Sequence, residues 1–167
     1  MEIGPKRIAR LAAQREKENM DFRVFIKSLY GFDDPALKRM VDDAAAYYWE
    51  RINCTDCGNC CRILHPKLNQ NDIQRLSQRL GMKEDEFIEK YLEQGEEGLQ
   101  MRETPCPFLS DKICSVYEDR PEECRGYPYL DRDIVSRMWG VIARSAECPV
   151  VYNVLEELKR RTHFRQR

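Results

Sequence analysis

Residues 53–62 read N-C-T-D-C-G-N-C-C-R, which sets Cys54, Cys57, Cys60 and Cys61 almost side by side. The C-x2-C-x2-C-C spacing turns the chain tightly enough for two sulfurs to reach one metal ion or one cluster. Zinc fingers normally use separated pairs. Three cysteines in succession at this spacing are how bacterial ferredoxins hold three corners of a [4Fe–4S] cluster, and a Cys-Pro often follows as a further ligand. Cys106-Pro107 and Cys148-Pro149 are available for that part. Adjacent side chains diverge by ~100° on a helix and ~180° on a strand. Cys60 and Cys61 are therefore expected to serve two sites, or to divide between a ligand and a structural neighbour. Gly58 suits a positive φ in the turn between them and Cys57.

Around this stretch the chain is ordinary. Its 167 residues fit one domain that can bury a core unaided. The 28 Lys and Arg residues nearly balance 29 Asp and Glu, so no global field recruits nucleic acid. No apolar run approaches the ~20 residues of a membrane span. The opening M-E-I-G-P-K-R-I-A-R lacks the apolar core of a secretory signal and reads as a short amphipathic helix. A cytosolic chain is expected. In a reducing cytosol, eight clustered cysteines point to metal or redox work rather than disulfides. Scattered structural thiols, or an exported disulfide-bonded chain, are weaker readings.

The expected fold is mainly α with a small irregular or β-containing cysteine-rich core, a single domain over residues 1–167. Residues 1–53 form its helical N-terminal part. Asp33 or Asp34 can cap a helix with Pro35 in its first turn, and Leu37, Met40, Val41, Ala44, Tyr48 and Ile52 recur at helical spacing. The period of Asp21–Gly31 is ambiguous. Residues 54–150 form the metal-binding core. Within it, Asn69 or Asn71 caps a helix ending at Gly81, and a second helix runs from about Lys83 to near Gly95. Short strands are expected at Leu99–Arg102 and Ile134–Ile142. Residues 151–167 are a C-terminal helix with the basic tail K-R-R-T-H-F-R-Q-R.

The other cysteines are Cys106, Cys114, Cys124 and Cys148. Asp111-Lys112 can form a turn ahead of Ile113-Cys114. Pro121 suits the start of a short helix carrying Glu122, Glu123 and Cys124, whose free N–H groups would lower a thiolate's pKa. Arg62, Lys112, Arg120 and Arg125 are candidate compensators for thiolate charge. His65 is a weaker nitrogen candidate, and His163 is expected to face solvent. Tyr47, Tyr48 and Trp49 are expected to pack around the site, and Tyr127-Pro128-Tyr129 to form a packed turn.

C-T-D-C-G-N-C-C followed by P-C-P-F-L-S-D-K-I-C-S-V-Y-E-D-R-P-E-E-C-R-G-Y-P resembles the CxxCxxCC family of the YkgJ type, described as chelating zinc or iron. The likeness covers roughly residues 50–150. It implies ligands from both halves: Cys54, Cys57, Cys60 and Cys61 with Cys106, Cys114 and Cys124, and Cys148 as a trailing member. A similar set occurs in the much longer flagellin lysine N-methylases. This chain shows no additional glycine-rich segment for S-adenosylmethionine, so methylase activity does not carry over.

Two functions follow. One is an iron–sulfur protein, with a [4Fe–4S] cluster, acting in electron transfer or redox sensing with a protein redox partner. The other is a Zn²⁺-stabilised interaction module with one or two closed four-cysteine sites. An enzyme is the weakest reading, because no second catalytic constellation accompanies the thiols. The basic tail reads as a helix C-terminus favouring cations, not as a nucleic-acid contact.

Overall fold

The computed structural model describes residues 1–165. Gln166 and Arg167, the end of the basic tail, lie outside the described residues. In chain order the helices are α1 (Pro5–Gln14), α2 (Glu16–Leu29), α3 (Pro35–Trp49), α4 (Cys54–Cys57), α5 (Cys60–Ile63), α6 (Gln70–Leu80), α7 (Glu84–Tyr91), α8 (Glu122–Gly126), α9 (Ile134–Ser145) and α10 (Pro149–Arg161). The strands are β1 (Leu92–Gly95), β2 (Gly98–Met101), β3 (Leu109–Ser110) and β4 (Ile113–Cys114), in two antiparallel pairs. The fold is thus mainly α with a minor β part, as its helical periodicity and turn residues imply. Among the described residues, no helix is long and apolar enough to cross a membrane.

The chain divides into two compact units, residues 1–53 with 128–167, and residues 54–127. The first unit is helical. Its α10 carries Val150, Val151, Val154, Leu155 and Leu158 buried, and packs on α3, α9 and α1. Each such side chain taken fully from water contributes roughly 1.5–3 kcal/mol. Ile8 of α1, Phe22 and Ile26 of α2, and Leu37, Val41 and Ala44 of α3 complete this core. The ambiguous stretch Asp21–Gly31 is largely α2, its apolar face set by Phe22 and Ile26 at i, i+4.

Residues 134–142, expected as a strand, are helical. Asp133 accepts a hydrogen bond from the Ser136 N–H at 2.8 Å, and Ile134, Val135, Met138 and Val141 bury one face at helical spacing. Cap and burial override the β preference of Ile and Val. Residues 128–150, grouped with the cysteine-rich core on sequence, sort with the helices. Tyr47 and Trp49 remain surface residues of this unit rather than core. Arg51 lies 3.8 Å over the Tyr47 ring, and Tyr48 meets it edge-on. Tyr129 has φ 62° and lies beneath Arg132 and Arg144. His163 is exposed.

The second unit wraps a small apolar core of Leu68, Ile73, Leu76, Phe87, Leu92, Met101, Phe108 and Val116, with Cys106 and Cys114 packed against it. The α6 start is a capping box. Asn69 Oδ1 accepts from the Asp72 N–H at 2.8 Å, and Asp72 Oδ2 accepts from the Asn69 N–H at 3.2 Å. Gly81, at φ 66°, ends the helix. The next helix stops at Tyr91, short of the expected Gly95. Leu92–Gly95 instead pairs with Gly98–Met101, where Leu92 opposes Met101 and both are buried. Gly98 closes the turn at φ 121°.

Asp72 also reaches forward. Its buried Oδ1 accepts from Arg75 Nη2 at 2.5 Å and from the Glu122 N–H at 3.1 Å, while Arg75 donates to the carbonyls of Asp119 and Arg120. One carboxylate thus caps α6 and pins the segment that carries Cys124.

Two predictions follow from these networks. Asp72→Ala strands two backbone N–H groups and Arg75, at a cost of about 1–3 kcal/mol in urea unfolding of the metal-free protein. In the helical unit, hydrogen bonds from Arg160 and then Arg161 hold the Glu157 carboxyl down to about 2 from its ordinary 4.5. A depressed carboxylate contributes stability above its unfolded pKa and loses it as pH falls through the folded value. Glu157→Gln therefore melts earlier than the parent at pH 7, and the gap narrows steadily between pH 4.5 and 2 in thermal melts.

Candidate metal centre

Two one-turn helices and a hairpin build the site. Cys54 and Cys57 bound α4, Gly58 turns the chain at φ 58°, and Cys60 and Cys61 open α5. Gly58 is needed twice over. A Cβ there would take a left-handed conformation and would stand 3.2 Å from the Lys112 carbonyl oxygen and 3.0 Å from Arg62 Nη1. That close approach lets α4 lie against β4. The β3–β4 hairpin pairs Leu109 with Cys114, and Asp111 at φ 55° makes the expected turn with Lys112. Arg62 fastens the two pieces, donating to the carbonyls of Cys57 at 3.0 Å and Asp111 at 2.5 Å. The Cys106 N–H donates to the Cys61 carbonyl at 2.7 Å, which joins the second motif to the first.

The Sγ atoms of Cys60 and Cys61 lie 4.0 Å apart. The divergence expected of adjacent residues does not hold, because at the very start of a short helix the side-chain torsions can swing both sulfurs to one side. The hydrogen bond from Cys60 holds the Cys61 thiol down to about 7, helped by the Arg62 charge. Every other resolved thiol of this unit moves the opposite way. Burial pushes Cys106 up to about 11, with Cys61 and Cys114 adding to it. Burial pushes Cys124 up to about 12, and Cys61, Cys106, Cys114 and Glu123 add to it. The α8 start, expected to lower Cys124, is outweighed by desolvation and by neighbouring sulfur. Burial likewise raises Cys114, and Cys61 adds to this while Arg120 opposes it. Packing around the sulfur raises Cys54, joined by Cys57 and Cys61 and again opposed by Arg120.

Seven of the eight sequence-expected sulfurs therefore belong to residues 54–127, and Cys61 is an electrostatic neighbour of Cys54, Cys106, Cys114 and Cys124. Cys148 belongs to the helical unit, where it is buried at the head of α10. Among the described residues, none of the eight cysteines forms a disulfide. Among the described residues, no three Cys, His, Asp or Glu side chains already converge as a ligand set. The donor chemistry nevertheless fits zinc or iron. Both take thiolate sulfur, and a cation's charge offsets the burial and neighbouring sulfur that raise these thiols. Each cysteine side chain needs only a turn about one bond to re-aim its sulfur.

Of the compensators expected from sequence, Arg62 and Arg120 act on sulfurs. Arg125 donates instead to the carbonyls of Arg120 and Glu118 and so shapes the loop before Cys124. His65 is engaged through Nδ1 with the Met101 carbonyl at 2.8 Å. Sequence reasoning missed Asp72 and Arg75. The spacing of Asn69 and Asp72, a capping-box pattern, was the available signal.

Residues 53–149, more than half of the chain, match the family model CxxCxxCC, "Putative zinc- or iron-chelating domain". A search of curated proteins and a search of solved structures each found no match. With its thiols in place and that match, the chain belongs to the CxxCxxCC family of zinc- or iron-chelating domains.

Proposed function

We propose that the cysteine-rich unit holds zinc or ferrous iron as individual ions in all-thiolate coordination, and that the filled centre serves as a structural and interaction module in a reducing cytosol, without catalysis. The 4.0 Å separation of the Cys60 and Cys61 sulfurs carries this reading. Bonds of ~2.3 Å at tetrahedral angles set ligand sulfurs ~3.8 Å apart. The corners of a four-iron cluster stand farther apart, since each cysteine there binds a different iron. Four thiolates on one divalent ion leave a net charge of about −2, which Arg62 and Arg120 are positioned to offset.

The second reading is a [4Fe–4S] protein in electron transfer or redox sensing with a protein partner, favoured by the C-x2-C-x2-C run. Anaerobic purification separates the two. Individual ions give zinc or iron without acid-labile sulfide, and a zinc-loaded protein is colourless. Brown protein with broad visible absorbance and labile sulfide overturns the first reading in favour of the second. Under either, Cys57→Ser and Cys124→Ser lose bound metal and melt well below the parent, since apparent structural-zinc binding energies run ~10–16 kcal/mol. Full metal content and a parental melt in both variants would remove these residues from the ligand set.

A further inference from the structure

In the helical unit, Trp139 of α9 is 63% exposed, although tryptophan is on average highly buried in folded proteins. Its neighbours on the same helix face, Ser136 at i−3 and Ala143 at i+4, are too small to cover the ring. Two guanidinium groups stand beside it. Arg23 of α2, a helix that packs on α9, has its guanidinium carbon 6.0 Å from the centre of the indole ring. Arg144 folds back across Gly140, the residue after Trp139. A Cβ at Gly140 would stand 2.6 Å from Arg144 Nη1, so the glycine leaves room for the cation in this pose. Lys27, one turn along α2 from Arg23, extends the positive edge. No acidic residue lies on α9. Among the described residues, Arg23, Lys27 and Arg144 have no carboxylate partner. Other cations of the unit are paired: Lys17 with Asp21, Lys38 with Asp42, and Arg160 and Arg161 with Glu157.

We propose that Trp139, Arg23 and Arg144 are the centre of a docking face for an acidic segment of a partner protein, in which an apolar side chain lies on the indole ring and flanking Asp or Glu carboxylates meet the two guanidinium groups. Tryptophan and arginine are the side chains that most often anchor interfaces. A guanidinium takes a carboxylate bidentately, and here the carboxylate breaks no ion pair already formed. Phosphates or lipid headgroups would meet the same cations. The face offers one aromatic, however, rather than the several on which successive bases stack. The small residues beside the ring leave space for a side chain, not the broad apolar surface that enters a bilayer. The proposal concerns the helical unit alone and stands whichever metal the cysteine-rich unit holds.

The test uses the full chain with Trp49→Phe, which leaves Trp139 as its one tryptophan. The probes are short labelled peptides in which a Leu or Phe is flanked by Asp and Glu, and the same peptides with Asn and Gln instead. The carboxylate peptides are expected to shift Trp139 emission to the blue and to bind less tightly as salt rises, and the amide peptides to do neither. This comparison depends on no substitution within the face. By peptide anisotropy, Trp139→Ala and Arg144→Gln each weaken binding about tenfold or more while melting like the parent. Lys90→Gln, which removes a charge from the cysteine-rich unit, leaves binding unchanged. Equal binding of both peptide sets, binding of neither, or binding that survives both substitutions would overturn the proposal. A Trp139 response to oligothymidylate or to phosphatidylserine vesicles, with none to the peptides, would overturn it in favour of nucleic acid or a bilayer. Self-association of the chain that Trp139→Ala abolishes, again without peptide binding, would overturn it in favour of a second copy.

Discussion

Thiolates repel one another, and a protein that gathers several of them must supply positive charge or keep them protonated. That constraint governs the cysteine-rich unit. Desolvation and neighbouring sulfur raise Cys54, Cys106, Cys114 and Cys124, so the metal-free unit holds these residues as neutral thiols. Cys61 is drawn down, by the Cys60 hydrogen bond and Arg62. The Cys61 sulfur is therefore more readily ionised than those of Cys54, Cys106, Cys114 and Cys124. A cation held there, as proposed, would by its own charge favour ionisation of the neighbouring thiols.

Much of this was legible in the sequence because it rests on local chemistry. Gly58 adopts the positive φ expected of it and Gly81 ends its helix, Asp111-Lys112 turns the hairpin, and Pro121 precedes a short helix bearing Cys124. Each is decided within four or five residues, where side-chain and backbone preferences act alone. The family resemblance was legible for the same reason, since its motifs are short and contain rare residue types.

What sequence reasoning missed depends on contacts across the chain. Ile134–Ile142 has strand-forming residues, but the buried face that selects a helix exists only once α2 and α10 pack against α9. The end of α7 is set by Leu92 opposing Met101, nine positions on in a hairpin. Asp72 is buried beneath Arg75 and the Glu122 N–H, partners three and fifty positions away that no local pattern brings together. Cys60 and Cys61 diverge on an ideal helix, and only the side-chain torsions at the start of α5 bring their sulfurs close. Cys148 shares the Cys-Pro pattern with Cys106 and stands at the head of α10, with Pro149 at the first helical position, two residues before the helix start expected at Val151.

The two cysteine motifs differ in how the polypeptide supports them. Cys106 and Cys114 pack against an apolar core built by Phe87, Phe108 and Val116, and Cys124 follows a loop pinned by Asp72 and Arg75. Their positions are held by burial and hydrogen bonds. Cys54, Cys57, Cys60 and Cys61 lie on α4 and α5, single turns of four residues with no buried side chain. Helices this short have no intrinsic stability in water, so their order comes from Gly58, Arg62 and whatever the sulfurs grip. Metal held as proposed would order this first motif against a second that the fold has already built. This explains why the C-x2-C-x2-C-C stretch can be so poor in apolar residues and still form a defined part of the molecule.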